Sequence, residues 1–124
     1  MDRDWLFHDS HAALFRSPFG AVSSDARLTL RLAVRAPAPP ERVLLRLWRE
    51  AGGEEVLAMA PGREEARGRL YQAEVDSRET PGLIWYYFIV TYRGRDYFYG
   101  AGSAGRGGAG RIYPESPPAY QITV

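Results

Sequence analysis

The sequence predicts an all-β protein, an antiparallel β-sandwich of seven or eight strands in one domain over residues 1–124. Apolar and polar residues alternate over several strand-length runs, which is the pattern of half-buried strands. Turn residues recur about every 8 to 12 positions, as they do in sandwiches. No stretch has a convincing helical period, so helices are not expected to shape the fold.

In the N-terminal half, the clearest strand covers residues 28–35, where every even position is Leu or Val. Prolines at 37, 39 and 40 end it, because proline cannot donate a hydrogen bond to a sheet. Residues 43–50 form the next strand, and Gly52-Gly53 turns the chain. A short strand over 56–59 ends at Pro61-Gly62, and a single helical turn is expected within 64–69.

In the C-terminal half, residues 70–75 alternate again, and Thr80-Pro81-Gly82 predicts a turn. Residues 83–92 are dense in β-branched and aromatic side chains and give the strongest strand signal. Arg93-Gly94 closes a hairpin whose return strand covers 96–99. Residues 120–124 form the last strand, and residues 8–15 pair at an edge.

The composition argues against nucleic-acid binding, thiol chemistry and a membrane span. All sixteen cationic residues are Arg and face fifteen acids, so the net charge of +1 predicts no strong attraction to nucleic acid. The chain has no Cys, which excludes disulfides and thiol chemistry. No apolar run is long enough to span a membrane and no signal peptide is visible, which favours a cytoplasmic protein without a membrane partner.

A glycine motif of phosphate-binding loops occurs twice in the sequence, but its context does not support a phosphate site. The pattern G-x-G-x-x-G occurs at Gly100, Gly102 and Gly105, and it is followed by a segment that cannot open a phosphate-binding helix. It occurs again at Gly105, Gly107 and Gly110. We expect a flexible crossing between the last two strands there.

Neither a metal site nor a catalytic centre is predicted. His8, Asp9 and His11 can ligate metals, but in an extended segment the two histidines point to opposite faces. The acids lie mostly in turns and are expected to be solvated charges, without the facing pair that glycoside hydrolysis needs. These acids are Glu54, Glu55, Glu64, Glu65, Asp76, Glu79 and Asp96.

Several blocks of the sequence, in order, resemble the beginning of bacterial α-amylase-family glycosidases of the pullulanase and neopullulanase type. The matching blocks are residues 8–10, 17–22, 28–32, 43–48, 80–88, 97–100, 107–110 and 117–124. The resemblance implies an immunoglobulin-like sandwich placed before a catalytic (β/α)₈ barrel that acts on starch-like α-glucans. The barrel, which would follow residue 124 and hold the catalytic carboxylates, is absent from this chain, so no catalytic residue and no cofactor is assigned.

The aromatic strands carry the candidate functional residues. Both faces of 83–92 are apolar, and residues 43–50 leave Leu44, Arg46 and Trp48 on the outer face. If these strands are neighbours, Trp48, Trp85 and Tyr87 form one outer patch beside Arg46.

Three interpretations of this patch stay open. It is a glucan-binding platform in which Arg46 donates hydrogen bonds to hydroxyls, an interface with the barrel or a second subunit, or part of the core. The predicted function is a non-catalytic N-terminal domain of an α-glucan-acting glycosidase that positions the barrel. The alternative is a stand-alone sandwich that binds another protein.

Overall fold

The computed structural model describes residues 4–18, 27–50, 52–76, 82–102 and 108–124, which form two antiparallel sheets and no helix. Within these residues there are eleven strands, three more than the upper limit predicted. They are β1 (Leu6–Phe7), β2 (Arg16–Ser17), β3 (Arg27–Val34), β4 (Arg42–Arg49), β5 (Glu54–Ala58), β6 (Ala60–Glu65), β7 (Gly68–Asp76), β8 (Leu83–Tyr92), β9 (Arg95–Ala101), β10 (Gly110–Tyr113) and β11 (Tyr120–Thr123).

The two sheets divide the strands unequally. The five-stranded sheet has the order β1-β3-β7-β6, and β2 pairs with β3 beside β1. The six-stranded sheet has the order β10-β9-β8-β4-β5, and β11 pairs with β8 beside β9. The all-β sandwich predicted from the sequence is therefore confirmed.

The core lies between the sheets and follows the predicted alternation. In β4, Val43, Leu45 and Leu47 are buried, and in β8 the even positions from Ile84 to Val90 are buried with them. Even positions of β3 meet them from the other sheet. The division of β4 and β8 into inner and outer faces is therefore confirmed.

Two predicted features of the chain are wrong. The helical turn expected within 64–69 is the tip of a hairpin, because β6 pairs with β7 across Glu65 and Gly68. Pro61-Gly62 does not end a strand but lies inside β6, which tolerates proline because it is an edge strand with a register shift after Pro61.

The Gly-rich crossing also differs from the prediction where it is described. Its last glycine, Gly110, begins β10, which pairs with β9, and the hydroxyl of Tyr99 accepts a hydrogen bond from the Gly110 N–H at 2.9 Å. Gly105 and Gly107 of the repeated motif lie outside the described residues, as do Glu79 and the Thr80-Pro81 part of the predicted turn.

Candidate functional site

The candidate residues come together on the outer face of the six-stranded sheet. In the register of β4 and β8, Trp48 lies opposite Trp85 and Arg46 lies opposite Tyr87. Directly opposed residues in an antiparallel pair share a face, so all four side chains project away from the core. We call these residues, together with Glu54 and Phe98, the outer cluster.

The rings of the outer cluster pack against one another. Trp48 and Trp85 are stacked, with ring centroids 6.2 Å apart and planes inclined by 23°. The Tyr87 ring meets Trp48 edge-on at 5.9 Å and Phe98 at 6.3 Å. Both tryptophans are half-buried, but Tyr87 is only 4% exposed, so it differs from the exposed ring that the sequence predicted. Its neighbours on the same face cover it.

Arg46 holds the polar side of the outer cluster in place. Its Nη1 donates to the Tyr87 hydroxyl at 2.7 Å, while Nε and Nη2 donate to the Glu54 carboxylate at 3.2 and 2.9 Å. The guanidinium carbon lies 5.0 Å from the Trp48 ring centre and 5.3 Å from that of Tyr87, within the range of cation–π attraction. The hydrogen bonds to Glu54 raise the pKa of Arg46, so its guanidinium keeps the positive charge.

Phe98 and Glu54 belong to the outer cluster but were not among the site residues predicted from the sequence. Phe98 lies opposite Ile89 in the β8–β9 hairpin, and its position follows from the alternation of Asp96 and Phe98 with Tyr97 and Tyr99. Glu54 was expected to be a solvated charge, but β5 places it opposite Trp48 and within reach of Arg46. The register of β5 on β4 depends on tertiary pairing and not on a local pattern, so the sequence alone does not predict this pair.

Four other acids named from the sequence have partners of their own. Glu55 pairs with Arg49, Glu64 with Arg69 and Glu65 with Arg63, while Asp96 accepts a hydrogen bond from Thr91. Among the described residues, no group of three or more His, Cys, Asp or Glu side chains is placed to hold a metal ion. No described segment forms a helix long and apolar enough to cross a membrane.

His8 and His11 occupy opposite environments, but residues 10–15 form turns and not the extended segment on which the prediction rested. His11 is exposed, whereas His8, which directly follows the edge strand β1, is completely buried between the sheets. Its Nδ1 lies 2.7 Å from the Arg31 carbonyl oxygen, which can only accept, so Nδ1 carries the proton. Its Nε2 must then accept the hydrogen bond from the Tyr86 hydroxyl at 2.9 Å.

Burial decides the charge state of His8. Desolvation lowers its pKa to about 3, and the nearby Arg16 guanidinium acts in the same direction. Phe15, Tyr86, Phe88 and Tyr120 surround the imidazole with aromatic rings. His8 is therefore a neutral core residue that joins the sheets, and it does not belong to the outer cluster.

Comparison with known proteins identifies relatives of this chain, although no protein-family model matches it. An amylopullulanase of Thermoanaerobacterium thermosulfurigenes is 31% identical over 123 residues, which are 98% of this chain and 7% of that protein. Amylopullulanases of Thermoanaerobacter thermohydrosulfuricus and Thermoanaerobacterium saccharolyticum are each 29% identical over the same share of the chain, and it spans 8% and 10% of their lengths. Over nearly its whole length the chain is therefore related to a short segment of the amylopullulanases, and the resemblance to glycosidases of the pullulanase type that its sequence predicted is confirmed.

Proposed function

We propose that this chain is a non-catalytic sandwich of a larger glycosidase that acts on starch-like α-glucans, and that its outer cluster contacts the rest of that enzyme. The observation that carries the proposal is the alignment, which covers 98% of this chain but only 7 to 10% of each amylopullulanase. On this proposal the catalytic carboxylates belong to the remainder of the enzyme. The sandwich positions that remainder and does no chemistry itself.

The position of the last strand favours the outer cluster as the contact surface. In the pairing of β11 with β8, Gln121 lies opposite Trp85 and Thr123 lies opposite Leu83. Val124 continues this ladder by exchanging hydrogen bonds with Gly82 at 2.8 and 3.2 Å. Three residues of strand span about 10 Å, so any chain that follows Val124 starts about 10 Å along the strand from Trp85. A contact there needs no long linker.

The chemistry of the outer cluster also suits an interface. Tryptophan and tyrosine offer apolar ring faces with a polar tip, and both are enriched at interfaces together with arginine. Arg46 is already held by Glu54 and Tyr87, so the surface is ordered before any partner binds. Preorganisation lowers the entropy cost of association.

A bound α-glucan is the second candidate occupant of the outer cluster. It is favoured by the arrangement of Trp48 and Trp85, two half-buried indoles whose planes differ by 23°. Rings placed in this way can stack against the C–H faces of sugar rings. Arg46 has N–H groups beyond those bonded to Glu54 and Tyr87, and these can reach hydroxyls.

The proposal is tested by adding the purified chain to the amylopullulanase-type enzyme from which its own segment has been deleted. Titration calorimetry should show binding that Trp48→Ala and Trp85→Ala each weaken about tenfold or more, since buried tryptophans often dominate interfaces. Thr29→Ala, on the outer face of the other sheet, is the control and should bind like the unchanged chain. Equal binding by all variants, or none by the unchanged chain, would contradict the contact.

The glucan candidate has a separate readout. In a Trp5→Phe background only Trp48 and Trp85 report by fluorescence, because the chain has three tryptophans. A saturable change on adding maltoheptaose, lost in Trp48→Ala, would support the glucan site. Unchanged emission up to millimolar ligand would support the contact with the enzyme.

Two further observations test the non-catalytic role and the alternative function. The chain alone should release no reducing sugar from starch or pullulan. A gene that ends at Val124 would favour the alternative, a stand-alone sandwich that binds another protein.

A further inference from the structure

Strand β5 leaves one edge of the six-stranded sheet open. Its inner side pairs with β4 from Leu44↔Ala58 to Trp48↔Glu54, and no other described strand pairs with its outer side. Val56, at its centre, is 52% exposed, and every other large apolar side chain of the described residues is more buried than this. A regular strand with a free edge is a template for another strand.

The hydrogen bonds to β4 fix which backbone groups of β5 point outward. The Met59 N–H donates to the Val43 carbonyl at 2.8 Å, and the Arg49 N–H donates to the Gly53 carbonyl at 3.1 Å. Pairs that exchange hydrogen bonds alternate with pairs that do not, so residues 53, 55, 57 and 59 face β4. The N–H and C=O groups of Glu54, Val56 and Ala58 therefore face away from it.

The other described edges carry features that hinder strand addition. β6 contains Pro61 and a register shift, and β1 and β2 have two residues each. β10 and β11 have four residues each, Pro114 follows β10, and Arg16 already occupies the Gln121 carbonyl of β11. Proline, bulges and very short strands are the usual protections of sheet edges. β5 has five residues without proline or bulge, and its acids are its only protection.

We propose that β5 pairs with β5 of a second copy of this chain, antiparallel and about a twofold axis at Val56. In this register Val56 lies opposite Val56, Glu54 lies opposite Ala58, and Glu55 lies opposite Leu57. Each acid faces an apolar residue, so this register sets no like charges directly opposite each other. The pairs 54–58, 56–56 and 58–54 each exchange two hydrogen bonds, which satisfies every outward-facing group of the strand.

The acids are also partly neutralised within their own copy. Glu54 is bonded to Arg46, and Glu55 is paired with Arg49. The protection that charge gives to a free edge is therefore weaker here than the sequence suggests. The interface is small compared with the roughly 1,200 Å² of a stable complex, so the dimer should be weak and should dissociate on dilution.

This pairing joins the two six-stranded sheets into one and places both outer clusters on the same side. Three strand spacings separate β4 of one copy from β4 of the other, a distance of about 14 Å. The proposal does not rest on the function proposed above, because the free edge exists whatever the outer cluster binds.

Disulfide trapping tests the register directly. The chain has no cysteine, so each introduced thiol can react only with its counterpart in a second copy. Opposed residues of a hydrogen-bonded pair have Cα atoms about 5.5 Å apart, which is within the range of a disulfide. Val56→Cys should therefore form a dimer under mild oxidation about tenfold faster than random collision allows.

Ala58→Cys is the matched control, since it is exposed, lies on the same strand and shares its face with Val56. In the proposed register it lies opposite Glu54 and not opposite itself. It should cross-link slowly alone and rapidly when mixed with Glu54→Cys. Equal rates for Val56→Cys and Ala58→Cys alone, or no rapid reaction in the mixture, would overturn the proposal.

Sedimentation equilibrium of the cysteine-free chain provides the second measurement. Val56→Pro removes an outward N–H without touching the ladder to β4, so it should abolish the dimer and leave the β-sheet circular dichroism spectrum unchanged. Val56→Lys should also abolish it, because it sets two cations opposite each other. A dimer that survives both substitutions, or a monomer at millimolar concentration of the unchanged chain, would overturn the proposal.

Discussion

The Nε2 of His8 accepts a hydrogen bond from the hydroxyl of Tyr86, 78 residues later in the chain, at 2.9 Å. Because Nδ1 of the same ring is bonded to β3 and Tyr86 belongs to β8, one neutral imidazole bridges the two sheets. A proton on His8 would place a cation in the core near Arg16. Stability should therefore depend on pH through this residue.

We expect the free energy of unfolding to fall as the pH is lowered from about 6.5 toward 3. Burial holds the pKa of His8 near 3 in the folded chain, against 6.5 for an ordinary histidine. Between these values the unfolded chain binds the extra proton, so His8 contributes a loss of about 1.4 kcal/mol per pH unit. Above pH 6.5 this contribution is constant. Urea unfolding at several pH values measures the slope.

His8→Gln is the control for the pH dependence of the free energy of unfolding, because its side chain keeps a donor and an acceptor but does not titrate. Its stability should depend less steeply on pH than that of the unchanged chain. His11→Gln, at an exposed position, should change the free energy of unfolding at pH 7 by less than about 0.5 kcal/mol. Identical slopes for His8→Gln and the unchanged chain would refute the role of His8.

Truncating the tryptophans should separate the core from the outer cluster. Trp5 is 4% exposed and packs on Tyr92 and Tyr97, so Trp5→Ala should cost about 3 to 5 kcal/mol. Trp48→Ala and Trp85→Ala should each cost about 1 kcal/mol, mainly the loss of their mutual stacking. Chemical denaturation measures all three. A cost above about 3 kcal/mol for either outer tryptophan would place it in the core.

Replacing Gly110 should test the close packing of β10 on β9. A Cβ there would overlap the Gly100 carbonyl oxygen and the Tyr120 hydroxyl and would lie 2.8 Å from Cε1 of Tyr99. Gly110→Ala should therefore cost about 1 to 3 kcal/mol or more. Gly102→Ala is the control, since its Cβ would meet only the Ala109 carbonyl oxygen at 3.6 Å. Melting temperatures that fall equally for both variants would show that the approach at Gly110 is not tight.

The bond from Arg46 to Tyr87 should matter more for stability than the ion pair with Glu54. Tyr87→Phe removes only the buried hydroxyl that accepts the hydrogen bond from Arg46 Nη1, leaves the pair with Glu54 in place and should cost about 1 to 2 kcal/mol. Glu54→Gln removes an ion pair whose acid side chain is 55% exposed, and should cost less than about 1 kcal/mol. Thermal unfolding gives the order, and a larger loss for Glu54→Gln would reverse this assignment.

The alternation of apolar residues and the positions of turn residues predicted most strands of the sandwich. The bounds of β8 agree with the predicted strand at both ends, because aromatic and β-branched residues fill it and Arg93-Gly94 follows. Arg93 and Gly94 both adopt positive φ, 50° and 78°, as a tight hairpin turn requires. The neighbours β4, β8 and β9 lie in one sheet as expected, which placed Trp48 beside Trp85.

What the sequence could not predict depends on contacts between distant segments. β10 is stabilised by pairing with β9 and by the Tyr99 hydroxyl, although it has only four residues and begins with a glycine of the Gly-rich segment. His8 is polar, so the sequence does not predict that it is buried. Its burial depends on the Arg31 carbonyl and the Tyr86 hydroxyl, which satisfy both ring nitrogens. Tertiary partners override local preference in both cases.

The bridge made by the N-terminal segment also sets the order of events during synthesis on the ribosome. The His8 carbonyl accepts a hydrogen bond from the Tyr120 hydroxyl across 112 residues, and Arg16 donates to the Gln121 carbonyl across 105. The segment around His8 and Arg16 leaves the ribosome before β11 and therefore waits for β11 before these bonds can form. Contacts at such separation slow folding. Nascent chains that stop short of residue 120 should leave the N-terminal segment open to proteases, and those that extend past β11 should protect it.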